Sequence, residues 1–333
     1  MTQAHPAGQC IDSFRRDFDR IERALRGIIV GQETLIRDLL TAILAGGHVL
    51  LEGLPGLGKT YLVKGLANAV GLSLARVQCT PDLMPLDIIG SELLVTTESG
   101  EQELRFRAGP LFAPLVLVDE INRATPRTQS ALLEAMQERQ VTHAGCKRDL
   151  PAPFWVLATQ NPIELEGTYP LPEAQLDRFF FKCNVPYPSD EALLEIVDVS
   201  LDEEPADRLE PVLSVERVLE MMRLAREIVV ADAVKRDAVA LVRRTHPGGP
   251  ETSSLANRHL RYGASPRALQ TLLRAARVRS LVEGRGHVAP EDLSAVALPT
   301  LRHRVLLSLE SRVEGADVDR VLEGIVHEWE HAR

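Results

Sequence analysis

The stretch Gly53-Leu54-Pro55-Gly56-Leu57-Gly58-Lys59-Thr60 sets glycines, a lysine and a threonine at the spacing G-x-x-x-x-G-K-T. It follows an apolar run, HVLLE, and opens the helix-like run KTYLVKGLANAV, with Tyr61 directly after the threonine. Strand, glycine-rich turn and helix in that order let backbone N–H groups wrap around phosphates. The helix N-terminus adds partial positive charge. Phosphate contacts are therefore expected from Gly53 through Tyr61, with Lys59 on the β- and γ-phosphates and the Thr60 hydroxyl on Mg²⁺. A chance glycine-rich turn would not need this flanking pattern.

Sixty residues beyond Lys59, the run LVLVDE ends on Asp119-Glu120. An aspartate at a strand end can hold the water shell of Mg²⁺, and a glutamate beside it can polarise an attacking water. Alone, these would read as two solvated acids; behind a phosphate loop they indicate hydrolysis. The sequence has no N-K-x-D guanine-reading motif, which favours ATP over GTP. Asn161 closes another apolar run, FWVLATQN, and Arg267 in GASPRALQ opens a helical one. Arg178 stands directly before Phe179, Phe180 and Phe181, three of the eight phenylalanines. The triplet reads as an apolar strand with a permanent charge at its mouth, where Arg178 could pair with Asp177 or reach outward.

Those groups need a scaffold. HVLLE (48–52), LARVQC (74–79), LVLVD (115–119), FWVLAT (154–159) and FFFKCNV (179–185) are candidate strands, with helical patterns such as 59–70 and 126–139 between them. The alternation predicts an α/β core with a mostly parallel five-stranded sheet. Two stretches interrupt it and read as β-hairpins: 93–107, with Ser99-Gly100 at the tip, and 140–150, around Gly145. Residues 1–28 read as an arm and a helix, and 29–186 as the core. After PYPSD (186–190) the periodicity is helical, so a boundary is expected near 187, with an all-helical second domain over 187–333.

At 45% apolar and 26% charged residues, this is the composition of a globular chain. No run approaches the roughly eighteen apolar residues of a membrane helix. The N-terminus MTQAHPAGQCIDSF lacks a signal-peptide layout, so a cytoplasmic location without membrane insertion is expected. Cys10, Cys79, Cys146 and Cys183 are too scattered for a zinc or disulfide pattern and read as core or incidental thiols. His246, His259, His287 and His303 read as scattered surface residues. A net charge of −9 argues against nucleic acid.

The motifs resemble those of AAA+ ATPases. Further stretches, VQCTPDLMPLDIIGSELL, FRAGPLFAPLVLVDEINRATPRTQSALLEAMQE, ATQNPIELEGTYPLPEAQLDRFFFK and GASPRAL, are similar to the MoxR family in the family's order. The resemblance implies an αβα P-loop core with a smaller helical lid, and ATP and Mg²⁺ held between subunits of a homo-oligomer, a hexameric ring. It implies adenine contacts from Val30, Gly31 and Gln32. Asn161 corresponds to sensor 1, on the nucleophilic water or γ-phosphate. Arg267 corresponds to sensor 2, touching the γ-phosphate from above. Arg178 corresponds to an arginine finger acting on the neighbouring subunit's nucleotide. The hairpin at 93–107 matches the helix-2 insert and that at 140–150 the pre-sensor hairpin, both expected to face a client.

The implied function is chaperone-like. Client proteins would be remodelled or matured, for example by metal or cofactor insertion, with a partner carrying a von Willebrand factor A domain. Two alternatives stay open: a nucleic-acid motor, on the strength of Arg105, Arg107, Lys147 and Arg148 in the hairpins, and the motor subunit of a metal chelatase. The segment ETSSLANRHLRY (251–262) is longer than the family pattern leads one to expect, which puts the local lid geometry in question.

Overall fold

The computed structural model describes residues 6–96, 98, 101–163, 167–200 and 209–333. Chain order runs α1 (Pro6–Arg26), α2 (Glu33–Leu44), β1 (Val49–Glu52), α3 (Lys59–Ala69) and β2 (Leu74–Gln78). A short helix α4 (Pro85–Ile89) leads into a hairpin of β3 (Gly90–Thr96) and β4 (Gln102–Ala108). Next come β5 (Leu115–Asp119), α5 (Pro126–Glu138) and a second hairpin, β6 (Gln140–His143) with β7 (Cys146–Asp149). Then β8 (Trp155–Gln160), α6 (Glu173–Leu176) and β9 (Phe181–Asn184) complete the α/β part. Beyond it lie α7 (Asp190–Ser200), α8 (Val215–Glu227), α9 (Asp232–Arg244), α10 (Ser254–His259) and β10 (Leu260–Tyr262). The chain continues through α11 (Pro266–Val282), α12 (Pro290–Leu301), β11 (Leu306–Leu307), α13 (Leu309–Val313) and α14 (Val318–His331).

The five predicted strands form one sheet in the order β2-β5-β8-β1-β9, every pair parallel. Side chains alternate between its faces. Val49, Leu51, Leu115, Leu117 and Leu157 enter a core shared with α1, α2, α3 and the C-terminal helices. Leu50, Val116, Val118, Val156 and Ala158 enter a second core under α5. Phe14, Phe18, Ile21 and Leu25 recur at intervals of four, three and four, so α1 presents one apolar stripe, buried against α2, α3 and α11. The N-terminal helix is thus integral to the main core.

Both hairpins form. The first pairs Gly90 with Ala108 through to Thr96 with Gln102, while Ser99 and Gly100 of the expected tip lie outside the described residues. The second turns at Ala144 (φ 49°) and Gly145 (φ 77°), the paired positive dihedrals that tight two-residue turns require.

Three expectations change. The strand after Arg178 begins only at Phe181; Phe179 and Phe180 form the buried approach to it. The C-terminal part is not all-helical, since β10 and β11 pair antiparallel. The long segment 251–262 supplies that β10 together with α10, which Ser253 caps through a 3.1 Å bond from Leu255 N–H. His303 is no surface residue: it is 6% exposed and bonded to the Phe179 carbonyl at 3.2 Å, because the chain after α12 packs under the phenylalanine approach.

Candidate nucleotide site

In a parallel sheet the loops at the carboxyl ends of the strands share one edge, where ligands bind. Gly53 follows β1, Glu120 follows β5 and Asn161 follows β8, so the topology alone gathers the predicted residues. Pro55 through Tyr61, Asp119, Glu120 and Asn161 line a cleft of about 740 Å³ at that edge, with Gly53 and Leu54 just behind it. Gly56 (φ 81°) and Gly58 (φ 74°) hold left-handed backbone with open space around them, so conformation and not crowding requires glycine there. Gly58 caps α3, whose first residue is Lys59.

Lys59 Nζ donates to the carbonyls of Gly53 and Leu54, both at 2.6 Å, so its ammonium lies within the loop. Burial holds it below the ordinary lysine value, with the carboxylates of Asp119 and Glu120 pulling the other way. Thr60 Oγ1 donates to Asp119 Oδ1 at 3.5 Å. A hydroxyl and a carboxylate this close, with open space before them, are hard oxygen donors suited to Mg²⁺. Thr159 ties the end of β5 to β8: its hydroxyl accepts Glu120 N–H at 2.9 Å and donates to Asp119 Oδ1 at 3.3 Å. Glu120 itself is held at φ 56°, a strained conformation for a non-glycine residue that aims its side chain into the cleft. Asn161 is 6% exposed and its Oδ1 accepts Ile163 N–H at 3.2 Å.

Val30, Gly31 and Gln32 do not line this cleft but flank its loop. Gln32 Nε2 donates to the Leu57 carbonyl at 3.5 Å. Gly31 (φ 72°) abuts α7, where a Cβ would come within 2.8 Å of Ala192.

Sequence reasoning passed over the groups that hold the two acids. Arg76 Nε donates to Asp119 Oδ2 at 2.7 Å. Gln78 Nε2 and Arg123 NH1 both donate to Glu120 Oε2, at 3.1 and 2.9 Å. Arg76 and Gln78 lie two apart on β2, in register with Leu117 and Asp119, so one face carries both. An Arg-x-Gln alternation at a strand end was the available signal. Cys79 follows them, its thiol pushed up to about 12 by burial and then by Asp119 and Glu120, which makes it a packing residue and no nucleophile.

Arg178 and Arg267 stand elsewhere. Arg178 precedes β9, which pairs with β1 from Phe181 opposite Val49 to Asn184 opposite Glu52. It therefore lies at the amino end of the sheet, about 13 Å of strand away from the phosphate loop. Arg267 is beside it, its NH1 3.7 Å from Asp177 Oδ2. Neither lines the phosphate cleft. Both line a second cleft of about 220 Å³, with Arg139, Arg274 and Arg304. Arg267 was expected to touch the γ-phosphate from above; the docking of α11 on α1 and α2 carries its first turn to the edge opposite its own chain's phosphate loop.

Nor does Asp177 pair with Arg178. Its carboxylate accepts Arg304 Nε at 2.7 Å and Ser265 Oγ at 3.1 and 3.0 Å. Among the described residues the Arg178 guanidinium makes no hydrogen bond or ion pair. Arg139 and Arg274 are spent on the end of α2, where they donate to the Gly46 and Ala45 carbonyls at 3.3 and 2.5 Å. A helix C-terminus favours such cations. Burial and then Arg139 hold Arg274 below its ordinary value.

The hairpin charges are partly committed too. Arg105 pairs with Glu103, and Arg148 stacks over Phe106 of the other hairpin at 3.9 Å.

Residues 48–181 match the model of the ATPase family associated with various cellular activities (AAA), and residues 252–325 match the AAA lid domain. The chain is 40% identical to chaperone MoxR1 of Mycobacterium tuberculosis over 327 residues, 97% of this chain and 85% of that protein. It is 34% identical to protein MoxR of Methylorubrum extorquens over 322 residues, 92% of each. A crystal structure of a Cytophaga hutchinsonii protein superposes with a TM-score of 0.87 at 37% identity, covering 96% of both chains.

Proposed function

Because this chain belongs to the MoxR family of AAA ATPases, we propose that it hydrolyses ATP to ADP and phosphate and uses the cycle to remodel or mature client proteins. The observation that carries the reading is the convergence of Lys59, Thr60, Asp119, Glu120 and Asn161 on one cleft at the carboxyl edge of the sheet. Lys59 binds the β- and γ-phosphates, Glu120 takes a proton from the attacking water and Asn161 orients that water. Thr60 and Asp119 hold Mg²⁺, which when bound neutralises charge on the phosphates. Val30, Gly31 and Gln32 border the adenine.

The working unit in this proposal is a cytoplasmic homo-oligomeric ring, hexameric, with its core and lid divided near residue 187. Arg178 and Arg267 sit at the wrong edge for their own chain's phosphate and therefore serve a neighbour's, where a guanidinium stabilises developing charge. Clients meet the β3–β4 hairpin. There Leu94 and Leu104 stand directly opposite each other, 61% and 66% exposed, an apolar pair suited to an unfolded or extended segment. A partner with a von Willebrand factor A domain completes the system. The commitment of Arg105 and Arg148 within the hairpins supports a protein client over nucleic acid.

Lys59→Ala tests the nucleotide site. It should abolish binding of a fluorescent ATP analogue, and retained affinity would contradict the assignment. Capture with Glu120→Gln in ATP, followed by mass spectrometry, tests the client reading. Recovery of DNA-processing proteins in place of an enzyme or a von Willebrand A partner would overturn it.

A further inference from the structure

Every oxygen of the Asp119 carboxylate is engaged. Oδ1 faces the hydroxyls of Thr159 and Thr60, at 3.3 and 3.5 Å. Both are neutral and can turn to share the carboxylate with a cation. Oδ2 is different: it holds Arg76 Nε at 2.7 Å in an ion pair with a carboxylate that is only 7% exposed. A guanidinium stays charged at any working pH, so Arg76 and a divalent cation repel each other at this carboxylate.

We propose that Arg76 is a resident counter-cation for Asp119, displaced whenever Mg²⁺ enters with nucleotide, and so sets how strongly nucleotide binding depends on the metal. The inference rests on the nucleotide reading above and deepens it. Three features support it. β2 is the outer strand of the sheet and the Arg76 side chain is 57% exposed, so the guanidinium can swing into solvent without unpacking any core. The metal-facing hydroxyl of Thr60 addresses the other oxygen of the same carboxylate, so cation and guanidinium meet at one group. Finally, Arg76 NH2 donates to Gln78 Oε1 at 3.4 Å, and Gln78 Nε2 donates to Glu120 Oε2 at 3.1 Å. Departure of Arg76 thereby removes one tether from the side chain that restrains Glu120. Metal loading at Asp119 and loosening of the Gln78 restraint on Glu120 become a single event, relayed along one face of β2, while Arg123 keeps its own hold on Glu120 at 2.9 Å. Arg76 is a positioning residue in this scheme and touches no reacting atom.

A bland alternative exists for any exposed arginine beside an acid: a surface ion pair of small energetic weight. The two separate in a binding experiment that needs no turnover. Labelled ADP is titrated against wild type, Arg76→Gln and Arg76→Lys, in excess Mg²⁺ and again in EDTA, and the magnesium midpoint is read at fixed labelled ADP. Arg76→Gln should tighten the magnesium-dependent binding about tenfold and lower the magnesium midpoint, with affinity in EDTA unchanged within about twofold. Arg76→Lys keeps the charge and should stay near wild type. An unchanged ratio of the two affinities in Arg76→Gln, or equal weakening in both buffers, would overturn the proposal while leaving the nucleotide site intact. Failure of wild type to bind labelled ADP in either buffer would instead remove the nucleotide reading itself.

Discussion

Subunits carrying Arg178→Ala and subunits carrying Glu120→Gln should each be nearly silent alone and active when mixed. The expectation follows from the sheet: four residues of β9 separate Arg178 from the edge where Glu120 lies, and parallel strands leave no way round. A complete site then needs Glu120 from one chain and Arg178 from the next. Loss of such a guanidinium costs about 10³ in turnover, or roughly 4 kcal/mol of transition-state stabilisation. In a random mixture, a site works only where an Arg178→Ala chain is served by a Glu120→Gln neighbour. With x as the fraction of one variant, the working fraction is x(1 − x), an arch peaking at equal amounts at about one quarter of wild-type turnover. Phosphate release at constant total protein, across a ratio series after subunit exchange, gives the curve directly. A flat line, or the straight sum of the two parents, would refute action between chains. Arg267→Ala with Glu120→Gln should trace the same arch, because Arg267 stands 3.7 Å from Asp177 and far from its own phosphate loop. If Arg267 served its own chain, that mixture would stay silent.

Asp177→Ala should destabilise the chain by about 3 kcal/mol, because the Arg304 side chain, 1% exposed, would lose its carboxylate partner; urea midpoints within about 0.5 kcal/mol of wild type would count against the pairing. His48 should make stability fall on acidification. Its Nδ1 accepts Val156 N–H at 2.9 Å and its Nε2 faces the Met136 carbonyl at 3.1 Å, which fixes the neutral tautomer. Burial accordingly lowers its pKa from 6.5 to about 4. A depressed folded value means the unfolded chain binds the extra proton, so stability is full above the unfolded pKa and declines as pH falls towards the folded one. The loss is about 2.5 kcal/mol between about pH 7 and pH 4.5. Asp38, pushed up to about 7 by burial, works oppositely, so the measurement is the difference between wild type and His48→Gln. Equal losses in both proteins would remove the His48 account. Leu94→Ser with Leu104→Ser, in the Glu120→Gln background, should weaken client capture about fivefold to tenfold. Undiminished capture would move client contact away from this hairpin.

The phosphate loop was legible because its chemistry is written in consecutive residues, between runs whose periodicity names strand and helix. The hairpins were legible for a similar reason, each turn lying within a few residues of the strands it joins. Arg267 shows where such reading stops. Ser265-Pro266 announces the start of a helix, and the structure starts one there, but where that start lies depends on burial of Ala268, Leu272 and Ala275 against elements far away in sequence. Arg76 and Gln78 were hidden likewise, since their partners Asp119 and Glu120, at and just past the end of β5, are 43 and 42 residues distant and only strand order brings them near. His303 misled for a plainer reason: a histidine among arginines looks solvated until the chain folds back beneath Phe179.

Asp177, immediately before Arg178, gathers Ser265 and Arg267 from the start of α11 and Arg304 from the turn after α12. Anything Arg178 gains from a phosphate on a neighbouring chain is therefore also a reason for those helices to stay docked. By linkage, nucleotide bound to one chain should protect the lid of the next against heat and proteases. The melting temperature should climb with protein concentration only when nucleotide is present. Durability, on this account, belongs to no single chain but is lent by each to its neighbour.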